Sequence, residues 1–329
     1  MQRKLEIRTE TWPIRGSFRI ARGTKTEAHV VVAEITSSTA TGRGECVPYA
    51  RFGESLSDVV AALENMSDEV AHGLTREALQ KILPAGAARN ALDCALLDLE
   101  AKEGGRPAYD ILGLPPPRAV STAFTISLGT PQEMAKAAAA AAMLGYDLLK
   151  LKIAGGNDLE RVQAVREGAL NARLIVDANE GWSENDFANL IQPLARLGVG
   201  LIEQPLPAGR DEALRGFRSP IPICADEACR TRDDLAHVAQ LYSHVNVKLD
   251  KAGGLTEALA LSRGALDSGL RLMIGCMVST SLSMAPAMLL ASLADFVDLD
   301  GPLLLERDRE HGIIYEGASL TPPSRALWG

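Results

Sequence analysis

The chain has 329 residues, 47% hydrophobic and 23% charged, a balance that fits a globular protein of roughly two domains and excludes a mainly disordered or collagen-like architecture. Its net charge is −8, from 34 basic against 42 acidic residues, so counterion release from a phosphate backbone cannot drive binding and nucleic acid is excluded as a partner. Aromatic residues make up only 4%, so the interior is filled by Ala, Leu, Val and Ile, as suits helices packed on a parallel sheet.

In chain order, the first segment predicts strands over Leu5 to Arg8, Ala28 to Thr36 and Thr41 to Val47, with Gly42 and Gly44 near a turn. A helix comes next over Ala87 to Glu103, apolar at Ala88, Ala91, Leu92, Ala95, Leu96 and Leu99 and stopped by Gly104-Gly105. Leu114-Pro115-Pro116-Pro117 interrupts any regular element, which puts a boundary between an α+β domain of residues 1–115 and the remainder of the chain. From there, short apolar strands starting near residues 120, 148, 173, 200, 221, 244, 270 and 296 alternate with helices. Thr130-Pro131-Gln132-Glu133 and Asn157-Asp158-Leu159-Glu160 read as helix starts. Strands at this period, each followed by a helix, predict a (β/α) barrel over residues 116–308; an open doubly wound sheet is the rival, without a GxGxxG turn to support it.

Barrel active sites sit at the C-terminal ends of the strands. Here those ends are charged: Lys150-Leu151-Lys152, Asp177-Ala178-Asn179, Glu203-Gln204, Asp226-Glu227, Lys248-Leu249-Asp250 and Asp298-Leu299-Asp300. Each closes an apolar run, where a charge is costly unless it serves another charge or a metal. Asp177, Glu203 and Asp226 close three adjacent strands, a donor set for one hard divalent cation with open positions, best matched by magnesium. Lys152 and Lys248 come from strands on opposite sides of an eight-strand ring. Two bases on opposite faces of one carbon imply epimerisation, one lysine taking a proton and the other returning one, with the cation stabilising the enediolate between. Lys150 and the cation would lower the pKa of the base by like-charge repulsion. Asp298 and Asp300 face the metal from across the pocket and call for a cationic group. A substrate with a carboxylate on the metal, an acidic carbon between the lysines and an ammonium on the aspartates has the outline of a dipeptide.

At these residues the sequence resembles the enolase superfamily, in the muconate-cycloisomerase-like branch and most closely its dipeptide epimerases. The resemblance runs through Arg51-Phe52-Gly53-Glu54-Ser55, Leu83 to Asp93, the Lys-x-Lys pair, Val176 to Glu180, Ile202 to Pro205, Ala225 to Glu227, Lys248 to Gly254 and Asp298 to Pro302. It implies a (β/α)7β barrel with an α+β cap, and a return of residues 309–329 to that cap. It also implies Lys152 and Lys248 as bases, Asp177, Glu203 and Asp226 as ligands of one Mg2+ per site, and Asp298 and Asp300 on the substrate ammonium. The activity implied is epimerisation of the Glu α-carbon of L-Ala-D/L-Glu in murein peptide recycling. An o-succinylbenzoate synthase-like dehydratase and an epimerase of another dipeptide remain as alternatives, as does a non-catalytic barrel. Cap loops around Phe18 to Thr24 and Arg51 to Ser55 would close over the substrate, with Arg22 as the candidate for its side chain. Thr125 and Ser279 are candidate pocket contacts, and Lys150, Asn179, Glu227 and Lys251 orient ligands and tune their charge.

Base, three carboxylates and second base fall 25, 26, 23 and 22 residues apart, a series that no single motif within it would establish. The histidines His29, His72, His237, His244 and His311 show no metal spacing, and Cys46, Cys94, Cys224, Cys229 and Cys276 read as free thiols. The charged start Met1 to Arg8 lacks the apolar region of a signal peptide, and the uncharged run Ser279 to Ala294 is interrupted by Pro286, so a cytoplasmic protein with no membrane partner is expected. A homo-oligomer is left open, since no interface patch stands out.

Overall fold

The computed structural model describes residues 3–329. Three antiparallel strands, β1 (Lys4–Ile20), β2 (Gly23–Thr36) and β3 (Thr41–Cys46), form the cap sheet in that order. β1 and β2 are much longer than the apolar pattern indicates. Their extra length is a hairpin tip that is largely solvent-exposed, with a register break between Pro13 and Phe18, so no alternation of buried and exposed residues marks it in the sequence.

The helix Ala87–Gly104 lies across this sheet. Gly42 and Gly44 serve that packing and not a turn: a Cβ on Gly42 would lie 2.2 Å from the Ala95 carbonyl oxygen, and one on Gly44 2.1 Å from that of Ala91. The sheet and helices enclose their own core, including Val31, Ala33, Ile35, Leu63, Leu79, Ala91, Leu92 and Leu99.

The barrel strands are β5 (Phe124–Ile126), β6 (Leu148–Lys152), β7 (Arg173–Asp177), β8 (Val199–Glu203), β9 (Ile223–Ala225), β10 (His244–Val247), β11 (Arg271–Gly275) and β12 (Phe296–Asp298). They run parallel in sequence order, and the Ala123 N–H donates to the Val297 carbonyl at 2.7 Å to bring the first and last edges together. The opening strand, expected from near residue 120 to near Ser127, is split: β5 opens the barrel, while β4 (Val120–Ser121) pairs outside it with β14 (Ser319–Leu320) of a short hairpin begun by β13 (Tyr315–Glu316). The last residues lie on the cap helix, with Trp328 Nε1 donating to the Cys94 carbonyl at 3.1 Å and the Gly329 N–H to Asp98 at 2.6 Å.

The two-residue period of a strand accounts for the barrel interior. Leu148, Ile175, Leu201 and Cys224 form a dry lower layer with Ala123 and Met273. The residues two positions on are Lys150, Asp177, Glu203 and Asp226, so the same alternation that packs the floor lifts charges to the mouth. Leu149 and Leu151 point the other way and join the main core. The expected helix caps form in part: Thr130 and Glu133 make a reciprocal capping box, whereas Asn157 makes no side-chain cap, and Asp158 ties down the preceding loop by accepting from the Ala154 and Gly155 N–H groups. Among the described residues no helix is long and apolar enough to cross a membrane.

Candidate active site

The strand ends carry the charged residues into one place. Directly after β7 and β8 the backbone turns through left-handed conformations at Asn179 (φ 46°), Glu180 (φ 67°) and Gln204 (φ 35°), a strained geometry that sites tolerate when the surroundings fix it. Gln204 is fixed in this way: its Oε1 accepts from the Asp226 and Ala228 N–H groups at 2.8 and 3.0 Å, and its Nε2 donates to the Leu206 carbonyl and the Tyr242 hydroxyl.

The mouth is a lattice of ammoniums and carboxylates, all buried. Lys150 Nζ lies 3.2 Å from Asp177, 2.7 Å from Glu203 and 2.8 Å from Asp298. Lys152 Nζ donates to Asp177 at 2.6 Å and Lys248 Nζ to Asp226 at 2.8 Å. Lys251 Nζ lies 2.7 Å from Asp226 Oδ1 and donates to the Cys229 and Asn246 carbonyls. Burial opposes every one of these charges, and the outcome depends on the neighbours. For Asp177 the Lys152 and Lys150 ammoniums outweigh burial and hold the carboxyl down to about 2, and Lys248 and Lys251 hold Asp226 well below the usual range. Glu203 goes the other way, pushed up to about 7 by burial and by Asp177. Lys150 and Lys248 are raised because the carboxylates around them outweigh burial, although the Lys150 ammonium itself acts to lower Lys248.

Lys150, Lys152, Lys248, Asp298, Asp300, Asn179 and Thr125 line one cavity of about 780 Å³, roofed by the β1–β2 hairpin tip and by Val47 to Arg51 and Glu54 of the cap. Thr125 donates its backbone N–H to Asp300 at 2.6 Å, and burial together with Asp298 pushes the Asp300 carboxyl up to about 7. Ser279 does not reach the cavity: it is fully buried and its hydroxyl donates to the Met277 carbonyl, leaving Cys276, Met277 and Val278 as the wall. Arg22 lines the cavity but is engaged, pairing with Glu227 at 2.7 Å and Glu180 at 3.3 Å and donating to the Asn179 carbonyl and the Tyr49 hydroxyl. Glu180 also receives Arg51 at 2.6 Å, so both cap loops are tied to the barrel rim.

Among the described residues no three His, Cys, Asp or Glu side chains form a ready-made metal cluster, since lysine ammoniums stand between the acids. The donor chemistry still fits a hard divalent cation. Asp177, Glu203 and Asp226 offer buried carboxylate oxygens, the donors such a cation takes, and these are met by the ammoniums of Lys150, 2.7 Å from Glu203 Oε2, and Lys251, 2.7 Å from Asp226 Oδ1.

Three contributors have no signal of their own in the sequence. Asn246, two residues before Lys248 and therefore on the same inward face, donates Nδ2 to Glu203 Oε1 at 2.7 Å; only the strand period could point to it. Tyr49 and Lys25 sit on the cap, whose placement over the barrel is a tertiary result. Lys25 is the one lysine or arginine lining the cavity that, among the described residues, has no carboxylate partner.

Residues 2–113 match the mandelate racemase / muconate lactonizing enzyme N-terminal domain, and residues 133–324 the enolase C-terminal domain-like family. The L-Ala-D/L-Glu epimerase of Escherichia coli K12 is 47% identical over 318 residues, covering 97% of this chain and 99% of that protein. The crystal structure of an enolase family member from Agrobacterium tumefaciens with homology to dipeptide epimerases, bound to sodium and L-Ala-L-Glu, superposes with TM-score 0.97 at 49% identity, covering 99% of this chain and 100% of that one. The dipeptide epimerase of Enterococcus faecalis V583, complexed with Mg and L-Leu-L-Tyr, gives TM-score 0.92 at 29% identity, covering 100% of this chain and 99% of that one. With both halves of the chain matched and a barrel of this order beneath a cap, the protein belongs to the mandelate racemase / muconate lactonizing enzyme family of the enolase superfamily.

Proposed function

We propose that this chain is a magnesium-dependent dipeptide epimerase that inverts the Glu α-carbon of L-Ala-D/L-Glu, a reaction of murein peptide recycling. The observation that carries the reading is that Lys152 and Lys248, on β6 and just past β10 and so four strands apart in the ring, line one cavity whose remaining wall holds Asp298 and Asp300. Lys152 Nζ and Lys248 Nζ face the α-carbon from opposite sides. One, as the neutral amine, takes the α-proton, and the other, as the ammonium, delivers a proton to the opposite face. Reversal of the two roles runs the reaction in the other direction. Asp177, Glu203 and Asp226 would hold the magnesium ion, which when bound supplies positive charge against the negative charge that proton removal puts on the substrate carboxylate. Asp298 Oδ1, buried and without a hydrogen bond, accepts from the substrate ammonium beside Asp300. An N-acylated amino acid or a dehydratase substrate, lacking that ammonium, would leave two carboxylates facing it unanswered. Residues 1–115 and 309–329 form the cap in this reading, and residues 116–308 the catalytic barrel.

Lys25, not Arg22, receives the side-chain carboxylate, because Arg22 is already committed to Glu227 and Glu180 while Lys25 stands free at the cavity wall. Polarimetry on L-Ala-L-Glu and L-Ala-L-Met tests both substrate and contact. Wild type epimerises the Glu dipeptide faster, and Lys25→Met raises KM for it roughly tenfold or more, as loss of a charged hydrogen bond does, with little change for L-Ala-L-Met. Equal loss on both dipeptides would overturn the assignment of Lys25, and no rotation change with any dipeptide would overturn the function.

A further inference from the structure

We infer that Asn246 is a positioning residue that sets two of the three acidic ligands, and that Gly275 on the neighbouring strand exists to make room for it. The inference rests on reading Asp177, Glu203 and Asp226 as the cation ligands.

Asn246 is fully buried on β10. Its side chain and its backbone act on different ligands. Nδ2 donates to Glu203 Oε1 at 2.7 Å, which fixes the rotation of that carboxylate and turns Oε2 toward Lys150 Nζ, 2.7 Å away. The Asn246 carbonyl accepts from Lys251 Nζ at 3.0 Å, and the same ammonium lies 2.7 Å from Asp226 Oδ1. One residue therefore ties the ends of β8 and β9 together, two positions ahead of the base Lys248. The barrel is built around this contact: Asn246 pairs in register with Met273, and a Cβ on Gly275 would lie 2.4 Å from Asn246 Oδ1 and 2.8 Å from Nδ2. Any side chain at 275 would drive the amide off Glu203. The Asn246 Oδ1 itself accepts no hydrogen bond, so the amide is held by Glu203 and by the shape of the space alone.

Residues that orient metal ligands typically change metal affinity 10- to 100-fold when removed. The test is calorimetric titration of the folded protein with Mg2+ alone, together with thermal melting and circular dichroism. Asn246→Ser, which is too short to reach Glu203, weakens Mg2+ by about 10- to 100-fold with native secondary structure retained. Gly275→Ala reaches the same contact from the neighbouring strand and weakens Mg2+ without altering Asn246 or any acid, so a folding failure in one variant leaves the other decisive. Wild-type Mg2+ affinity in either folded variant would overturn the inference, and so would a lowered melting temperature with unchanged affinity, which is what a purely structural role gives. No dipeptide enters the titration, so a wrong substrate assignment leaves this result standing, and a failure here leaves the substrate assignment standing.

Discussion

Lys152→Ala and Lys248→Ala should each lower epimerisation by at least about 10³-fold, within the range a positioned acid or base contributes, while each retains solvent exchange with one epimer only. The reason is geometric. The two ammoniums reach the cavity from strands four apart in the ring, so each faces one side of the α-carbon. With Lys248 removed, Lys152 can still take a proton from the epimer that presents it and return a deuteron to the same face, giving exchange with retention and no inversion. The mirror pattern holds for Lys152→Ala. Incubation of L-Ala-L-Glu and L-Ala-D-Glu separately in deuterium oxide, followed by NMR, separates the cases. Loss of exchange for both epimers in both variants would indicate a structural role for the lysines, and inversion persisting in either variant would exclude the two-base mechanism.

Chelation of the metal should remove both exchange and inversion to background in the wild-type protein, with full recovery on adding Mg2+. The acids demand it. Asp177, Glu203 and Asp226 are buried together among the Lys150, Lys152, Lys248 and Lys251 ammoniums, and burial with Asp177 pushes the Glu203 carboxyl up to about 7, so a divalent cation is what lets all three carboxylates stay ionised side by side. Glu203→Gln keeps the shape and removes one charge; exchange should fall at least about 10²- to 10³-fold, the cost of removing one transition-state stabiliser, and excess Mg2+ should recover part of it. Measurement of exchange after EDTA dialysis, with circular dichroism to exclude unfolding, checks this. Undiminished exchange in EDTA would contradict the assignment of these acids.

The parts of the molecule legible in the sequence are those where local pattern and tertiary position coincide. Lys150 and Lys152, Asp177, Glu203, Asp226 and Lys248 all stand at the ends of apolar runs, and strand alternation sends them inward above Leu148, Ile175, Leu201 and Cys224. The cap is less legible because its function comes from where it sits. The tips of β1 and β2 are largely exposed, so their composition carries no burial signal, and nothing near Arg22 announces that Glu227, 205 residues away, will occupy its guanidinium. Ser279 comes after a strand end but is fully buried, with its hydroxyl turned back onto the Met277 carbonyl at 3.1 Å. Gly42 and Gly44 suggest a turn because glycine most often means one; their task is close approach of the helix backbone, which requires knowing what lies on top. Asn246 is hidden for a different reason, as a polar residue alternating with Val245 and Val247 has no partner visible in the sequence.

The most direct test of the central claim is one-dimensional proton NMR of L-Ala-L-Glu with the purified protein and Mg2+ in deuterium oxide. The Glu α-proton signal is predicted to disappear while the alanine α-proton persists and the L-Ala-D-Glu resonances grow in. An α-proton that remains at full intensity in the presence of Mg2+, with the folded protein at catalytic concentration, would contradict the account.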